Sequence, residues 1–342
     1  MTISSIPLPA TDTQQPDLPV LRDNYRQAKA KQIELLKTPS LGRRSVHGVL
    51  HYFSELADKL LQTLWQRAEM PEGTALVAVG GYGRAQLFPY SDIDVLLLLP
   101  HNSAPAPEWT ARIEQFISSC WDAGLEIGSS VRNIPECLHE AAQDLTVQTA
   151  MLESRLITGN QALFSDFEQQ FRAALKPKAF VEGKLLEMRQ RHAKYDFTPY
   201  ALEPNCKESP GGLRDLHTML WLAKAAGFGA SWHELTEQGL ITPFEAQQLE
   251  SNEALLNLIR ARLHAVAGRH EDRLVFDLQT AVAEVFGYRS TTPEGRKLAM
   301  RASETLMRHY YWAAKAVSQL CQIVRMSIEE RLNPSSYKSI KL

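Results

Sequence analysis

The sequence predicts an α+β fold in which a small mixed β-sheet is followed by an all-helical region. Three short apolar runs, over 74–79, 93–99 and 125–132, have the length and composition of buried strands. Helical patterns then fill nearly all of the chain from Pro135 onward. A chain of 342 residues is long enough for about two domains, and this change of pattern marks the boundary between them.

The regions on either side of that boundary complete the predicted organisation. We expect a disordered N-terminus over 1–18, because this stretch is rich in proline and polar residues. The sheet-containing domain covers 19–135 and the helical domain covers 136–332. The polar stretch 333–342 is expected to be a linker or a cut end.

Apolar residues spaced three and four positions apart predict the main helices. In the first domain these helices cover 20–36, 46–67 and 108–122. In the second domain, Thr242–Glu245 forms a capping box with proline at the first helical position. Another helix is predicted over 291–325.

The bulk composition is that of an ordinary globular protein and argues against several classes. The net charge is −2, whereas a nucleic-acid-binding domain is usually clearly basic, so no nucleic acid is expected as a partner. The four cysteines are scattered singly, which argues against structural zinc. Since no signal-peptide pattern and no apolar run of bilayer length is present, we expect a cytoplasmic protein with no membrane partner.

The most informative segment joins the first two predicted strands. It begins with Gly80 and Gly81 at the end of one strand and reaches Asp92 and Asp94 at the start of the next. Side chains alternate across a strand, so both carboxylates face the same side. Two like charges placed together repel each other, and Mg²⁺ bound by carboxylate oxygens would offset that cost. The alternative is a pair of acidic residues at a solvated turn.

The glycines and two polar residues supply the other half of this pattern. Glycines at a helix start let a phosphate approach the backbone N–H groups. Ser91 can add a hydroxyl and Arg84 a positive charge, although Arg84 is equally well explained by a surface salt bridge. A strand, a Gly-Gly turn and an Asp-x-Asp pair on the next strand resemble the polymerase-β-like nucleotidyltransferase superfamily.

That resemblance implies a third carboxylate on a neighbouring strand. Glu126, between apolar residues of the third predicted strand, is the first candidate. It could instead lie on the exposed face of an alternating strand. Asp144 is the second candidate, although its sequence context also fits a helix cap.

A second unusual stretch lies in the helical region. Lys207 and Arg214 flank the turn formed by Gly211 and Gly212, and Asp215 follows at the start of a predicted helix. Two cations at a helix N-terminus suit the binding of a triphosphate or a base, so all five residues are candidate nucleotide ligands. The alternative is a plain loop between helices in which Arg214 pairs with Asp215.

Together these motifs resemble the bacterial PII uridylyltransferase/uridylyl-removing enzyme family. The resemblance covers roughly residues 20–325. It rests on four stretches of the sequence: 80–94, 152–159, 207–215 and 273–288.

This resemblance implies a function in nitrogen regulation. Such a multifunctional enzyme moves UMP from UTP to a tyrosine of the PII signalling protein. It would attack in line with the help of two Mg²⁺ ions, with Mn²⁺ as a possible substitute, bound by Asp92, Asp94 and Glu126. The family also has an HD phosphohydrolase that removes UMP and ACT domains that bind glutamine. We expect both to be absent from this chain, because His270-Glu271-Asp272 is not an HD pair.

Two other functions stay open on the sequence alone. One is a different nucleotidyltransferase, such as an adenylyltransferase that acts on glutamine synthetase. The other is a regulatory module that binds a nucleotide without turnover. Trp221 and Trp232 are expected to be core or docking residues rather than platforms on which a base stacks.

Overall fold

A computed structural model describes residues 17–100, 106–291 and 300–334. The predicted disordered N-terminus and C-terminal linker lie almost wholly outside these ranges, as does 292–299 of the predicted helix over 291–325. None of the helices described is long and apolar enough to cross a membrane.

The first part of the chain contains a four-stranded sheet with helices packed around it. Its elements are α1 (Leu18–Leu36), α2 (Val46–Arg67), β1 (Ala75–Ala78), α3 (Gly80–Gly83), β2 (Ile93–Leu99), α4 (Pro107–Asp122), β3 (Ile127–Asn133), α5 (Ile134–Gln143), α6 (Leu145–Leu152) and β4 (Arg155–Gly159).

The remaining elements described are helices. They are α7 (Gln161–Ala174), α8 (Pro177–Ala193), α9 (Leu213–Ala225), α10 (Trp232–Glu237), α11 (Pro243–Ala267), α12 (Phe276–Val285) and α13 (Ala302–Leu332). The predicted α+β class with a small mixed sheet is therefore confirmed.

The sheet has the strand order β3-β2-β1-β4. β1 pairs antiparallel with both β2 and β4, whereas β2 and β3 run parallel. Every residue of β1 is buried, and so is nearly all of β2. Such continuous apolar runs are expected of strands that are covered on both faces.

The structure corrects the prediction that the chain is helical from Pro135 onward. β4 was not predicted, and it lies beyond the proposed domain boundary at residue 135. Only five residues long and half-exposed, β4 lacks the apolar run that marks the other strands. Its pairing with β1, which is distant in sequence, creates the strand.

Buried Arg262 joins the helical region to the N-terminal helices. From the C-terminal part of α11, its guanidinium donates to the carbonyl oxygens of Leu36, Thr38 and Leu41 at 2.8–3.1 Å. Burial lowers the pKa of Arg262 to about 10. Three carbonyl acceptors satisfy much of a charged group that would otherwise be costly to bury.

Candidate active site

The Gly80–Asp94 segment forms one wall of a cleft between the sheet and the helical region. Gly80 adopts φ +58°, which glycine tolerates and which starts the single turn α3 directly after β1. The Val79 N–H donates to the Asp94 carbonyl oxygen at 3.1 Å. The turn and the second carboxylate are thereby held next to each other.

A partly buried polar network holds α3 in place. Arg155 of β4 makes a two-pronged ion pair with Asp58 of α2, at 2.7 and 3.1 Å. The Tyr82 hydroxyl of α3 donates to the same Asp58 carboxylate. Paired guanidinium–carboxylate contacts are geometrically specific, so this network sets the position of the glycine turn.

Asp92 and Asp94 both line the cleft, as the alternation along the strand predicts. Desolvation by the surrounding protein, followed by the charge of Asp92, raises the pKa of Asp94, while Lys207 acts in the opposite direction. Across the sheet, Gly128 faces Asp94, and a methyl group at that position would lie 2.5 Å from Asp94 Oδ1. Glycine at 128 therefore leaves room for the Asp94 carboxylate.

The opposite wall of the cleft is rich in cations. Lys207 and Arg214 lie there as predicted, and buried Lys184 and Arg260 join them. Arg214 is held by Glu208 at 3.0 Å. Burial lowers the pKa of Lys207, and the nearby charges of Arg260 and Arg214 add to this effect. Clustered cations around a volume of about 360 Å³ favour a polyanionic ligand.

Gly81, Arg84 and Ser91 also line the cleft, and their contact with nucleotide stays a prediction. The Arg84 guanidinium donates to the Glu153 carboxylate, which is itself buried. Arg84 therefore has a salt bridge, as the alternative proposed, but the salt bridge lies inside the cleft.

The structure places Gly211, Gly212 and Asp215 away from the lining of the cleft. Gly211 packs against α13, where a side chain would lie 2.1 Å from the Ala314 carbonyl oxygen. Gly212 caps α9, and its N–H donates to the Ser209 carbonyl oxygen at 2.8 Å. Both glycines thus have packing roles in this structure, and their contact with nucleotide stays a prediction.

Asp215 is only 2% exposed and organises that loop. Its carboxylate accepts from Arg191 at 2.7 Å and from the Gly211 N–H at 2.7 Å, and His192 Nε2 lies 2.8 Å away. The alternative in which Arg214 pairs with Asp215 is wrong, because Arg214 pairs with Glu208. Asp215 thus supports the segment that carries Lys207 and Arg214.

The two candidates for a third carboxylate differ in their surroundings. Glu126 immediately precedes β3 and lines a small cavity next to the cleft, which shares Ser91 with it. Its negative charge acts on Tyr25 and Lys29. Asp144 caps α6 and accepts from the Thr146 N–H at 2.6 Å, so the helix-cap interpretation of Asp144 is confirmed.

Among the described residues, one cluster has three side chains whose possible metal-ligating atoms all lie within 4.8 Å of one another. Glu126 is not part of it. It consists of His264, His270 and Asp272. Arg260 already donates to Asp272 at 2.6 Å, and His264 Nε2 lies 3.0 Å from it. Burial would raise the pKa of Asp272, but His264 and Arg260 hold it well below its usual range. The cluster therefore fixes Arg260 at the cleft.

Four buried lining residues of the helical region were given no role in binding from the sequence: Lys184, His217, Trp221 and Arg260. All four are buried on helices α8, α9 and α11. Lys184 and Arg260 could have been found from the sequence, because each is a cation among apolar neighbours within a helix. A buried cation requires a partner, so such a residue is a candidate for binding an anion. His217 and Trp221 carry no such signal, because aromatic residues in a helix usually belong to the core.

Several known proteins are similar to this chain over most of its length. A family model described as GlnD PII-uridylyltransferase matches residues 179–325. The bifunctional uridylyltransferase/uridylyl-removing enzyme of Cupriavidus pinatubonensis is 60% identical over 278 residues, which are 81% of this chain and 31% of that protein.

Two Burkholderia proteins with the same description are also similar. The one from Burkholderia lata is 53% identical over 315 residues, covering 92% of this chain and 35% of that protein. The one from Burkholderia thailandensis is 54% identical over 312 residues, covering 91% and 35%. The chain thus spans about one third of the length of these relatives. It belongs to the PII-uridylyltransferase family of nucleotidyltransferase enzymes.

Proposed function

We propose that this chain transfers UMP from UTP to a tyrosine of a PII signalling protein. The observation that carries the proposal is that Asp92 and Asp94 line the same cleft as a cluster of cations, one of which, Lys207, acts electrostatically on Asp94. Carboxylates that can hold a metal and cations that can hold phosphates are what nucleotidyl transfer requires. The names of the relatives support a uridylyl group as the one transferred, and the name of the matching family supports PII as the target.

The residues fit a divalent metal. Desolvation and the nearby charge of Asp92 both raise the pKa of Asp94, so its ionised form is unfavourable without a partner. A bound cation would stabilise the ionised form. Asp92 and Asp94 would hold Mg²⁺, with Mn²⁺ as a possible substitute, through oxygen ligands. When bound, the metal supplies positive charge that lowers the pKa of the attacking hydroxyl and neutralises the triphosphate.

The chain's own residues position the reactants. Lys207, Arg214 and Arg84 bind the triphosphate, while Ser91 and the turn at Gly80 and Gly81 approach it from the sheet side. The tyrosine oxygen forms a bond to the α-phosphorus. The bond from that phosphorus to the oxygen leading to the β-phosphate breaks, and pyrophosphate leaves. The phenolic proton passes to a carboxylate, for which we propose Glu126.

The test is transfer of label from α-labelled UTP to purified PII in the presence of Mg²⁺. We expect labelled PII and one pyrophosphate per transfer. Labelling of glutamine synthetase by ATP instead would favour the adenylyltransferase function. Absence of pyrophosphate release with every nucleotide and a genuine PII partner would favour a regulatory binding module.

The third carboxylate gives a separate prediction. We expect Glu126→Gln to lower transfer by about 100-fold or more, the effect of losing a proton acceptor. Asp144→Asn serves as the matched control and should transfer at the wild-type rate, since Asp144 caps a helix. Asp144→Ala should lower the free energy of unfolding by about 1 kcal/mol. Equal losses of transfer in Glu126→Gln and Asp144→Asn would contradict this assignment.

The lowered pKa of Lys207 leads to a prediction of how UTP binding depends on pH. Its pKa is lowered chiefly by burial, so the ammonium loses its proton at a lower pH than an ordinary lysine does. We therefore expect the Kd for UTP to rise as pH increases through that range. Lys207→Arg should move the rise to higher pH, because a guanidinium stays charged.

Titration calorimetry of UTP binding between neutral and alkaline pH measures this effect. Lys207→Gln should weaken binding by about 10- to 100-fold, as expected for a lost hydrogen bond to a charged group. The exposed Lys194→Gln variant is the control and should bind as wild type does. An unchanged pH profile in Lys207→Arg would show that another group titrates.

A further inference from the structure

Two aromatic side chains of α9 reach the cleft with polar atoms that lack partners. His217 and Trp221 are four residues apart on the helix, so they lie on the same face, and each is 3% exposed. Both ring nitrogens of His217 and the indole Nε1 of Trp221 are buried without a hydrogen-bond partner in the described parts of the chain. Both residues line the cleft that contains the Asp92–Asp94 pair.

Such atoms require an explanation. Most buried polar atoms in proteins have a partner, because leaving one unpaired is costly. Here three of them occur on one wall of the cleft. A polar group of a ligand, presented to α9, would satisfy them.

The surroundings specify what His217 can offer. Burial, together with the charges of Arg84, Arg214, Arg260 and Lys207, lowers the pKa of His217 well below its usual range. The ring is therefore neutral and has one N–H donor and one nitrogen that accepts. An accepting nitrogen suits a ligand that donates an N–H, and phosphate oxygens cannot donate one.

The indole ring of Trp221 can offer a ligand its N–H edge, because cations already lie over the face of the ring. Lys184 Nζ lies 4.7 Å from the ring centroid and the Arg214 guanidinium lies 5.3 Å from it. With these cations over the ring, stacking of a base is disfavoured. The Nε1–H edge remains as a donor for a carbonyl oxygen.

We propose that His217 and Trp221 read the base of the nucleotide and select uracil. Uracil has a ring N–H flanked by two carbonyl oxygens, at C2 and C4. His217 accepts from this N–H, and Trp221 donates to the C4 carbonyl, which is the one that cytosine lacks. Cytosine has a bare ring nitrogen in place of that N–H and an amino group in place of one carbonyl. The inference rests on the proposed function and adds the residues that set its base specificity.

The experiment compares the binding of UTP, CTP and N3-methyl-UTP by titration calorimetry, with transfer to PII measured separately. We expect the wild-type chain to bind UTP at least about 10-fold more tightly than CTP. N3-methyl-UTP lacks the ring N–H and should bind about 5- to 100-fold more weakly than UTP. This arm tests the His217 contact without altering a buried residue.

Trp221→Phe removes the indole N–H and keeps an aromatic ring. It should weaken UTP binding by about 5- to 100-fold and leave CTP binding nearly unchanged, so that the UTP preference falls. Trp312→Phe makes the same chemical change at an exposed site on α13 and should behave as wild type.

The outcomes separate the two proposals. Equal binding of UTP, CTP and N3-methyl-UTP, or an equal loss for UTP and CTP in Trp221→Phe, would overturn base reading by α9. Selective UTP binding without transfer to PII would support base reading and overturn the proposed function.

Discussion

Asp94→Asn is expected to abolish uridylyl transfer while leaving the folded protein at least as stable as wild type at neutral pH. The amide keeps the shape of the side chain but removes the charge that would hold the metal. Loss of a metal ligand at the reacting centre should lower the rate by about 1,000-fold or more, comparable with the loss of a main electrostatic contact.

The stability part of this prediction follows from the direction of the pKa shift. Burial and Asp92 raise the pKa of Asp94 in the folded protein. A raised carboxyl pKa means that the folded state binds the proton more tightly than the unfolded state does, so ionisation at higher pH destabilises the fold. The amide of the Asp94→Asn variant does not ionise, so at pH values above the titration range of a carboxyl the variant avoids this loss of stability.

Thermal unfolding with and without Mg²⁺ tests both parts. Mg²⁺ should raise the midpoint of the wild-type protein, because a ligand that binds only the folded state stabilises it. In Asp94→Asn this increase should be lost, although the metal-free midpoint is unchanged or higher. Asp23→Asn, at an exposed surface ion pair, is the control and should keep both activity and the metal effect. Near-normal transfer by Asp94→Asn would refute the role of the carboxylate pair.

The parts of the site that the sequence predicted are those encoded locally. β2 was predicted with its observed bounds, Ile93–Leu99, because a continuous apolar run makes a buried strand. Asp92 and Asp94 follow from alternation along that strand. α2 also has its predicted bounds, 46–67, because its apolar spacing is regular. In each case the residues next to one another in the sequence are enough to predict the structure.

The parts that were missed depend on contacts between distant segments. β4 exists because it pairs with β1, about 80 residues earlier in the chain. Asp215 has the sequence context of a ligand at a helix N-terminus, yet its carboxylate is paired with Arg191 and contacts His192, both on α8. His217 and Trp221 face the cleft only because of how α9 packs. No local pattern separates these roles.

Gly211→Ala is expected to destabilise the fold and weaken UTP binding, although Gly211 does not line the cleft. Gly211 has φ +77°, a conformation that costs an alanine about 1–2 kcal/mol. Its methyl group would also lie 2.1 Å from the Ala314 carbonyl oxygen, so backbone has to shift. Together these effects should lower the free energy of unfolding by about 3 kcal/mol or more.

Gly227 provides a matched control at the other end of α9. It has the same φ of +77°, but a methyl group there would meet nothing within 4 Å. Gly227→Ala should therefore lose only the conformational part, about 1–2 kcal/mol, when unfolding is followed in denaturant. The difference between the two variants isolates the contact with α13.

The functional consequence follows from the position of Gly211 in its loop. The loop lies between Lys207 and Arg214, and the Gly211 N–H donates to buried Asp215 at 2.7 Å. A shift of this backbone moves both cations relative to Asp92 and Asp94. UTP binding should therefore weaken in Gly211→Ala and stay at the wild-type level in Gly227→Ala. Equal stability and equal UTP affinity in the two variants would show that the loop tolerates the shift, and that close packing against α13 does not hold the cations in place.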